Sequence, residues 1–207
     1  MTNPEVYLFD KSGRLKNNRH GQAALLSDAD CARIRRQLKN PRHRLIWDIA
    51  KWTGERWGAI LQLRIDDVYL AGRPREYITF RAQTRKASPD GRRQTRQIPV
   101  HPNLKEILEA YKPPGDTVYL FPSPLDEFRP LSMRAADLAL RRAVELAGLG
   151  NRGISTHSTR VSFITNLHAR GISERTIQAL TGHKDIRVVG RYILVSHDQA
   201  KAAIATL

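Results

Sequence analysis

The sequence predicts a mostly α-helical α+β fold with a small antiparallel β-sheet near its front third. Apolar residues recur at helical spacing along most of the chain, the period shifts towards strand between Val68 and Val100, and Pro89-Asp90-Gly91 places a strong turn inside that interval. With 207 residues the chain has room for one sizeable core or, at most, two small ones.

Residues 1–24 are rich in Asn, Lys and Arg and lack periodicity, so they read as a polar arm, with the folded part, 25–207, starting at Leu25. Ser27, with Asp30 three residues on, resembles a capping box, and Cys31, Ile34 and Leu38 carry the apolar spacing of a first helix. Asn40 and Pro41 close that helix and open the next, where Leu45, Ile46, Ile49 and Trp52 keep helical spacing until Gly54 stops it. Ile60, Leu61 and Leu63 mark a short third helix. Trp47, Trp52 and Trp57 would suit a base-stacking platform, but helical tryptophans are more often packing residues, and they are assigned to packing here.

Tyr77, Ile78 and Phe80 are β-formers, and Gln97, Ile98, Pro99 and Val100 close a second run, which together predict a hairpin. Its arms carry Arg81, Arg85, Lys86, Arg92, Arg93 and Arg96 against a single acid, Asp90. Helical signals return after Pro102 and again between a Ser132 cap and a Gly148 stop. The proline-rich loop between those helices is expected to organise around Val118, Leu120 and Phe121. Short helical stretches at about 157–170, 173–181, 185–193 and 197–206 complete the chain.

Lys and Arg number 35 against 20 Asp and Glu, a net charge of +15 spread among 41% hydrophobic residues. This describes a folded domain with a basic face, and the partner it calls for is a polyanion. No run approaches the roughly 20 apolar residues of a spanning helix, and the N-terminus lacks a secretion signal, so a cytoplasmic, nucleoid-associated protein is expected. The single cysteine, Cys31, suits an apolar filler rather than a disulfide or a metal cluster.

Metal-assisted phosphodiester cleavage needs clustered carboxylates or histidines. Asp66 and Asp67 are adjacent and diverge on any regular element, and neither HExxH nor CxxC occurs, so no metal is expected. THSTRVSF puts His157 and Arg160 three apart on one face at a helix start, which suits a phosphate but equally a cap or a surface ion pair. LTGHKDIRVVGRY sets His183 after a glycine and Tyr192 nine residues later, and either residue alone serves structure as readily as chemistry.

Taken together and in order, these residues resemble the catalytic domain of the tyrosine recombinases, the phage integrase family of DNA strand-exchange enzymes. The resemblance runs from about Leu26 to the C-terminus. Thr53, Gly54 and Arg56 match its TGxR stretch, Lys86 its hairpin lysine, His157 and Arg160 its HxxR box, Leu180, Gly182 and His183 its LxGH box, and Tyr192 its nucleophile. It implies a site-specific recombinase or integrase that breaks and rejoins double-stranded DNA through a 3′-phosphotyrosyl intermediate, without metal, ATP or any other cofactor. In that scheme Arg56 and Arg160 hold the phosphate oxygens, and His157 and His183 add hydrogen bonds. Tyr192 starts from a pKa of about 10 that neighbouring cations bring down. Lys86 protonates the leaving 5′ oxygen, a task for which the guanidinium of Arg85 is too weak an acid.

Two features depart from the family pattern. Ala59 stands where the family often has a Glu three residues after its first arginine, leaving Asp67 or Glu55 to support Arg56. Residues 1–24 are too few for the helical DNA-clamping domain of most relatives, so the grip on DNA is expected from Arg81, Arg85, Arg92, Arg93 and Arg96 of the hairpin and from Arg134, Arg141 and Arg142. Such contacts make binding steeply salt-dependent. The resemblance further implies a homotetramer on DNA and a monomer or weak oligomer off it, with a tail helix (Ala200, Ala203, Ile204, Leu207) packing on a neighbour or on its own core. The rival readings are a catalytically silent DNA-binding relative that occupies recombination sites and a monomeric topoisomerase-like relaxing enzyme.

Overall fold

The computed structural model describes residues 8–9, 15–16, 23–84, 94–183, 185–190 and 204–205. Within the polar arm, β1 (Leu8–Phe9) and β2 (Leu15–Lys16) pair antiparallel, an element the polarity of that segment did not suggest. Leu25 is exposed, whereas Leu26 is buried and the half-buried Ala24 packs against the core.

Helix α1 (Asp28–Gln37) starts on the anticipated capping box, in which the Ser27 hydroxyl accepts from the Asp30 N–H and the Asp30 carboxylate accepts from the Ser27 N–H. Cys31 and Ile34 face inward, and burial pushes the Cys31 thiol up to about 11, in keeping with an inert filler. Asn40 caps α2 (Pro41–Thr53), Pro41 occupies its first turn, and Gly54 ends it in the left-handed region at φ 61°. This is the central helix. Leu45, Ile46, Trp47, Asp48, Ile49, Ala50 and Thr53 are all buried, because α2 packs on α1 and on elements that follow it on several sides.

After α3 (Trp57–Ile60) comes a one-turn helix, α4 (Ile65–Val68), and a tight hairpin of β3 (Tyr69–Leu70) with β4 (Arg73–Pro74); neither was anticipated, since both are too short to show a period. The expected hairpin is β5 (Tyr77–Phe80) paired with β6 (Arg96–Pro99) in the register Ile78↔Ile98 and Phe80↔Arg96. Side chains alternate across a strand, so Ile78, Phe80 and Ile98 enter the core together.

Helices α5 (Pro102–Ala110) and α6 (Met133–Leu146) begin at His101 and Ser132, whose side chains accept from the N–H groups of Asn103 and Ala135. Between them Leu120 and Phe121 are buried as anticipated, but Val118 is exposed. The reason is a backbone role: the Val118 carbonyl accepts the Ile65 N–H and the Leu120 N–H donates to Leu63, which turns the Val118 side chain outward. The last helices are α7 (Ser158–Ala169), α8 (Glu174–Thr181) and α9 (Ile186–Gly190). Helix α7 packs on α2, α8 on α7, and α9 on α8, around a satellite core of Ile164, Ile177 and Val189. The tail helix expected at 197–206 lies almost wholly outside the described residues. No helix among the described residues is long and apolar enough to cross a membrane.

Trp47 and Trp57 are buried in the main core, which supports the packing assignment. Trp52 is half-buried and stacks on His101, ring centroids 3.9 Å apart, with the Lys51 ammonium 5.0 Å from its ring.

Candidate active site

The TGxR stretch is built by the end of α2. The Thr53 hydroxyl donates to the Ile49 carbonyl at 2.6 Å and accepts the Glu55 N–H at 3.2 Å, which turns the chain out of the helix. Gly54 is required twice over: its φ is +61°, and a Cβ there would lie 2.3 Å from Cδ1 of Phe163 on α7. This close approach lets the Gly54 carbonyl reach the guanidinium of Arg160, in the first turn of α7, at 2.8 Å.

Arg160 is fully buried. Its Nη2 donates to the Thr181 carbonyl at 2.8 Å, so the cation sits between the C-terminal ends of α2 and α8. Unpaired carbonyls and the negative end of the macrodipole favour a cation at such ends. The same Nη2 lies 3.1 Å from Nε2 of His183, whose Nδ1 is 2.8 Å from the Thr181 hydroxyl. Because that hydroxyl donates to the Ile177 carbonyl at 2.6 Å, the network assigns the proton of His183 to Nδ1 and leaves Nε2 to accept from Arg160.

Burial, and then the positive charges of Arg160, Arg56 and Arg96 with a contribution from His157, pull His183 down to about 3, so it is neutral at neutral pH. His157, half-buried just before α7, is lowered for the same reasons: burial first, then Arg160 and Arg56. Arg56 and His157 line one cleft of about 360 Å³ with Glu55, Trp57, Ala59, Thr84 and Met133. Arg160 and His183 stand behind its wall. Arg56 and His157 thus share the cleft lining, and Arg160 and His183 are linked to it through the Arg160–Glu55 approach of 3.8 Å, which gathers positive charge and neutral imidazole beside one cleft.

Of the acids available to support the site in place of one at Ala59, the structure uses Glu55. Its Oε1 accepts the Arg56 N–H at 2.9 Å and lies 3.8 Å from Arg160 Nη1, and its other oxygen pairs with Arg96. Asp67 instead pairs with Arg81 at 2.7 Å, and Asp66 holds the same arginine at 2.9 Å, so both aspartates are engaged away from the cleft.

Arg96 corrects the sequence reading. It was expected on the DNA-facing surface of the hairpin, yet its side chain is only 11% exposed and points at Glu55. It stands two residues before Ile98 and therefore shares the inner face of β6, an alternation that was available in the sequence. Burial brings its pKa down to about 10, and it stays a cation at neutral pH. Arg134, Arg141 and Arg142 are exposed on α6, with Arg141 paired to Asp137 at 2.6 Å. Arg85, Lys86, Arg92, Arg93 and Tyr192 lie outside the described residues. The carbonyls of Gly54 and Thr181, which hold Arg160, were missed, since backbone acceptors leave no mark in a sequence.

Residues 19–199 match the family model described as the phage integrase family. A tyrosine recombinase of Pseudothermotoga lettingae is 26% identical over 175 residues, covering 82% of this chain and 55% of the relative. The tyrosine recombinase XerC of Staphylococcus haemolyticus is 25% identical over 163 residues, covering 79% of this chain and 52% of the relative. The chain thus spans about half the length of these curated relatives. Among solved structures, XerA recombinase superposes with a TM-score of 0.70 at 20% identity, covering 89% of this chain and 65% of that one. A lambda integrase tetramer bound to a Holliday junction gives 0.63 at 21% identity, covering 88% of this chain and 52% of that one. The fold built around the Arg160 tie is the tyrosine recombinase fold, and with a family match that runs through the arginine and histidine boxes, this chain belongs to the phage integrase family.

Proposed function

We propose that this chain is the strand-cleaving part of a site-specific DNA recombinase that acts through Tyr192. The observation that carries the reading is that Arg56 and His157, distant in sequence, line one cleft, while Arg160 and His183 are hydrogen-bonded to each other beside it and lie close enough for Arg56, Arg160 and His157 to act on the His183 charge. Cleaving a phosphodiester requires charge stabilisation on the non-bridging oxygens as phosphorus becomes five-coordinate. Arg56 offers a two-pronged contact to those oxygens at the opening, while buried Arg160 adds a fixed field from behind.

His157 is neutral at working pH and lines the cleft, so it is suited to take the phenol proton as Tyr192 attacks. The Tyr192 oxygen forms the new bond to phosphorus, the bond to the 5′ oxygen breaks, and Lys86 supplies the proton that oxygen needs. Thr84, the last described residue before the lysine, lines the same cleft, and α9 ends at Gly190, two residues before the tyrosine. A second 5′-hydroxyl then attacks the phosphotyrosine and restores the backbone, and the covalent link conserves the energy of the bond broken. The exposed arginines of α6 grip the duplex. A homotetramer on DNA is the assembly proposed, by likeness to the lambda integrase tetramer.

The test is a panel of nicked suicide duplexes, run on denaturing gels. A covalent adduct that is lost in Tyr192→Phe supports the reading. No adduct on any duplex favours a silent DNA-binding relative, and an adduct that survives in Tyr192→Phe rejects the nucleophile. Adducts with relaxation of supercoiled plasmid but no strand exchange would indicate the monomeric relaxing enzyme.

A further inference from the structure

We infer that Glu55 is a positioning residue, a buried carboxylate that ties Arg96 of β6 to Arg160 of α7 and so fixes the cation behind the cleft. The inference rests on the recombinase reading for what the cleft does, but its structural part stands apart from it.

The other buried acids behave differently. Asp30, Asp48 and Asp67 pair with Arg152, Arg35 and Arg81, arginines whose side chains are 46%, 39% and 28% exposed. Those pairs pin surface cations to the fold. Glu55, itself 1% exposed, faces arginines that are 11% and 1% exposed. Ions removed from water cost several kcal/mol each unless they are well paired, so an internal carboxylate between internal guanidiniums is kept only where the guanidiniums are needed.

The sequence around it carries the same message. Ala59, buried in the cleft wall, presents a methyl group where the family pattern often places a carboxylate. Glu55 reaches the site from the opposite side of Arg56 in sequence and also accepts the Arg56 backbone N–H. One carboxylate therefore orders the start of α3, restrains Arg160 and draws in Arg96 from the hairpin. It also balances a single charge among Arg56, Arg96 and Arg160, and with His183 neutral the cleft keeps its excess of positive charge for the phosphate.

The test compares wild type, Glu55→Gln, which keeps the shape but loses the charge, and Glu55→Asp, which keeps the charge on a shorter stem. On a suicide duplex cleaved by wild type, Glu55→Gln is expected to form the covalent adduct about 10- to 100-fold more slowly with its Kd for the same duplex nearly unchanged, a loss confined to the transition state. Glu55→Asp should recover part of the rate. Equal rates in wild type and Glu55→Gln, or a loss of rate that follows a loss of DNA affinity, would overturn the inference. Guanidinium 15N NMR provides a readout that needs no cleavage: the Arg96 and Arg160 signals should both move in Glu55→Gln, and, where Glu55→Gln does not fold, both should still move relative to wild type in Glu55→Asp. Movement at Arg96 alone would reject the tie. Should wild type form no adduct, the recombinase reading fails while the NMR result still decides whether Glu55 holds Arg160.

Discussion

Arg160 and the arginines of α6 carry the same charge under opposite physical conditions. Arg160 is shut away from water, held by the Gly54 and Thr181 carbonyls and by His183, with Glu55 3.8 Å away. Arg141, 63% exposed, keeps its hydration and a helical pair with Asp137 worth about 0.3–0.5 kcal/mol. The interior cation is expensive to place and is therefore held by several partners; the surface cations cost little and remain hydrated and screened by salt. A net charge of +15 thus contains distinct populations, one buried and paired inside the fold and one exposed to water.

The contrast breaks most sharply at Arg160. Arg160→Met strips partners from the buried Gly54 and Thr181 carbonyls and from Glu55, and is expected to cost about 3–5 kcal/mol in urea unfolding. A loss below about 1 kcal/mol would mean the interior tie is not integral to the fold.

Acid should attack the same region next. The folded pKa of His183, about 3, is below the value of about 6.5 for an unfolded histidine, so between those pH values the unfolded chain binds more protons. The stability from this neutral histidine is complete above about pH 6.5 and is lost as pH falls towards 3, on the order of 3 kcal/mol by pH 4. Thermal melts against pH should show that slope in wild type and a shallower one in His183→Asn. Parallel slopes would remove His183 from the account.

Gly54→Ala probes the close approach that lets α2 meet α7. A left-handed alanine and a clash with Phe163 should together cost about 2–4 kcal/mol, read from the urea midpoint. Truncation of the exposed cations should do least to the fold. Arg141→Gln with Arg142→Gln is expected to change stability by less than about 0.5 kcal/mol per site. DNA affinity should weaken, and the slope of log K against log salt should shrink by roughly 0.9 for each phosphate that the variant no longer neutralises. A large change in stability, or an unchanged salt slope, would erase the distinction between the populations.

Much of this was legible in the chain. Ser27, Asn40, Ser132 and Gly54 start or stop the helices as their chemistry dictates, because capping is settled within a few residues. The β5–β6 pairing followed from two runs of β-formers flanking a turn, whereas α4 and the β3–β4 hairpin were too short to announce themselves. Val118 faced outward against expectation because a long-range backbone hydrogen bond, invisible in local sequence, decided its orientation. Arg56, His157, Arg160 and His183 were legible through the resemblance to the family's TGxR, HxxR and LxGH boxes, and Glu55 was one of the two acids expected to support Arg56. The inward turn of Arg96 was readable in its spacing from Ile98 but was masked by the basic residues around it.

The sequence by itself determined the helical character, the place of the hairpin and the caps, because each depends on local backbone preference or on side-chain type. Only the tertiary structure decided which cations are internal. Burial and pairing arise where α2, α7, α8 and β6 meet, and there a carbonyl from one helix end or a carboxylate from a neighbouring turn determines whether an arginine anchors the fold, as Arg160 and Arg96 do, or faces water, as Arg141 does.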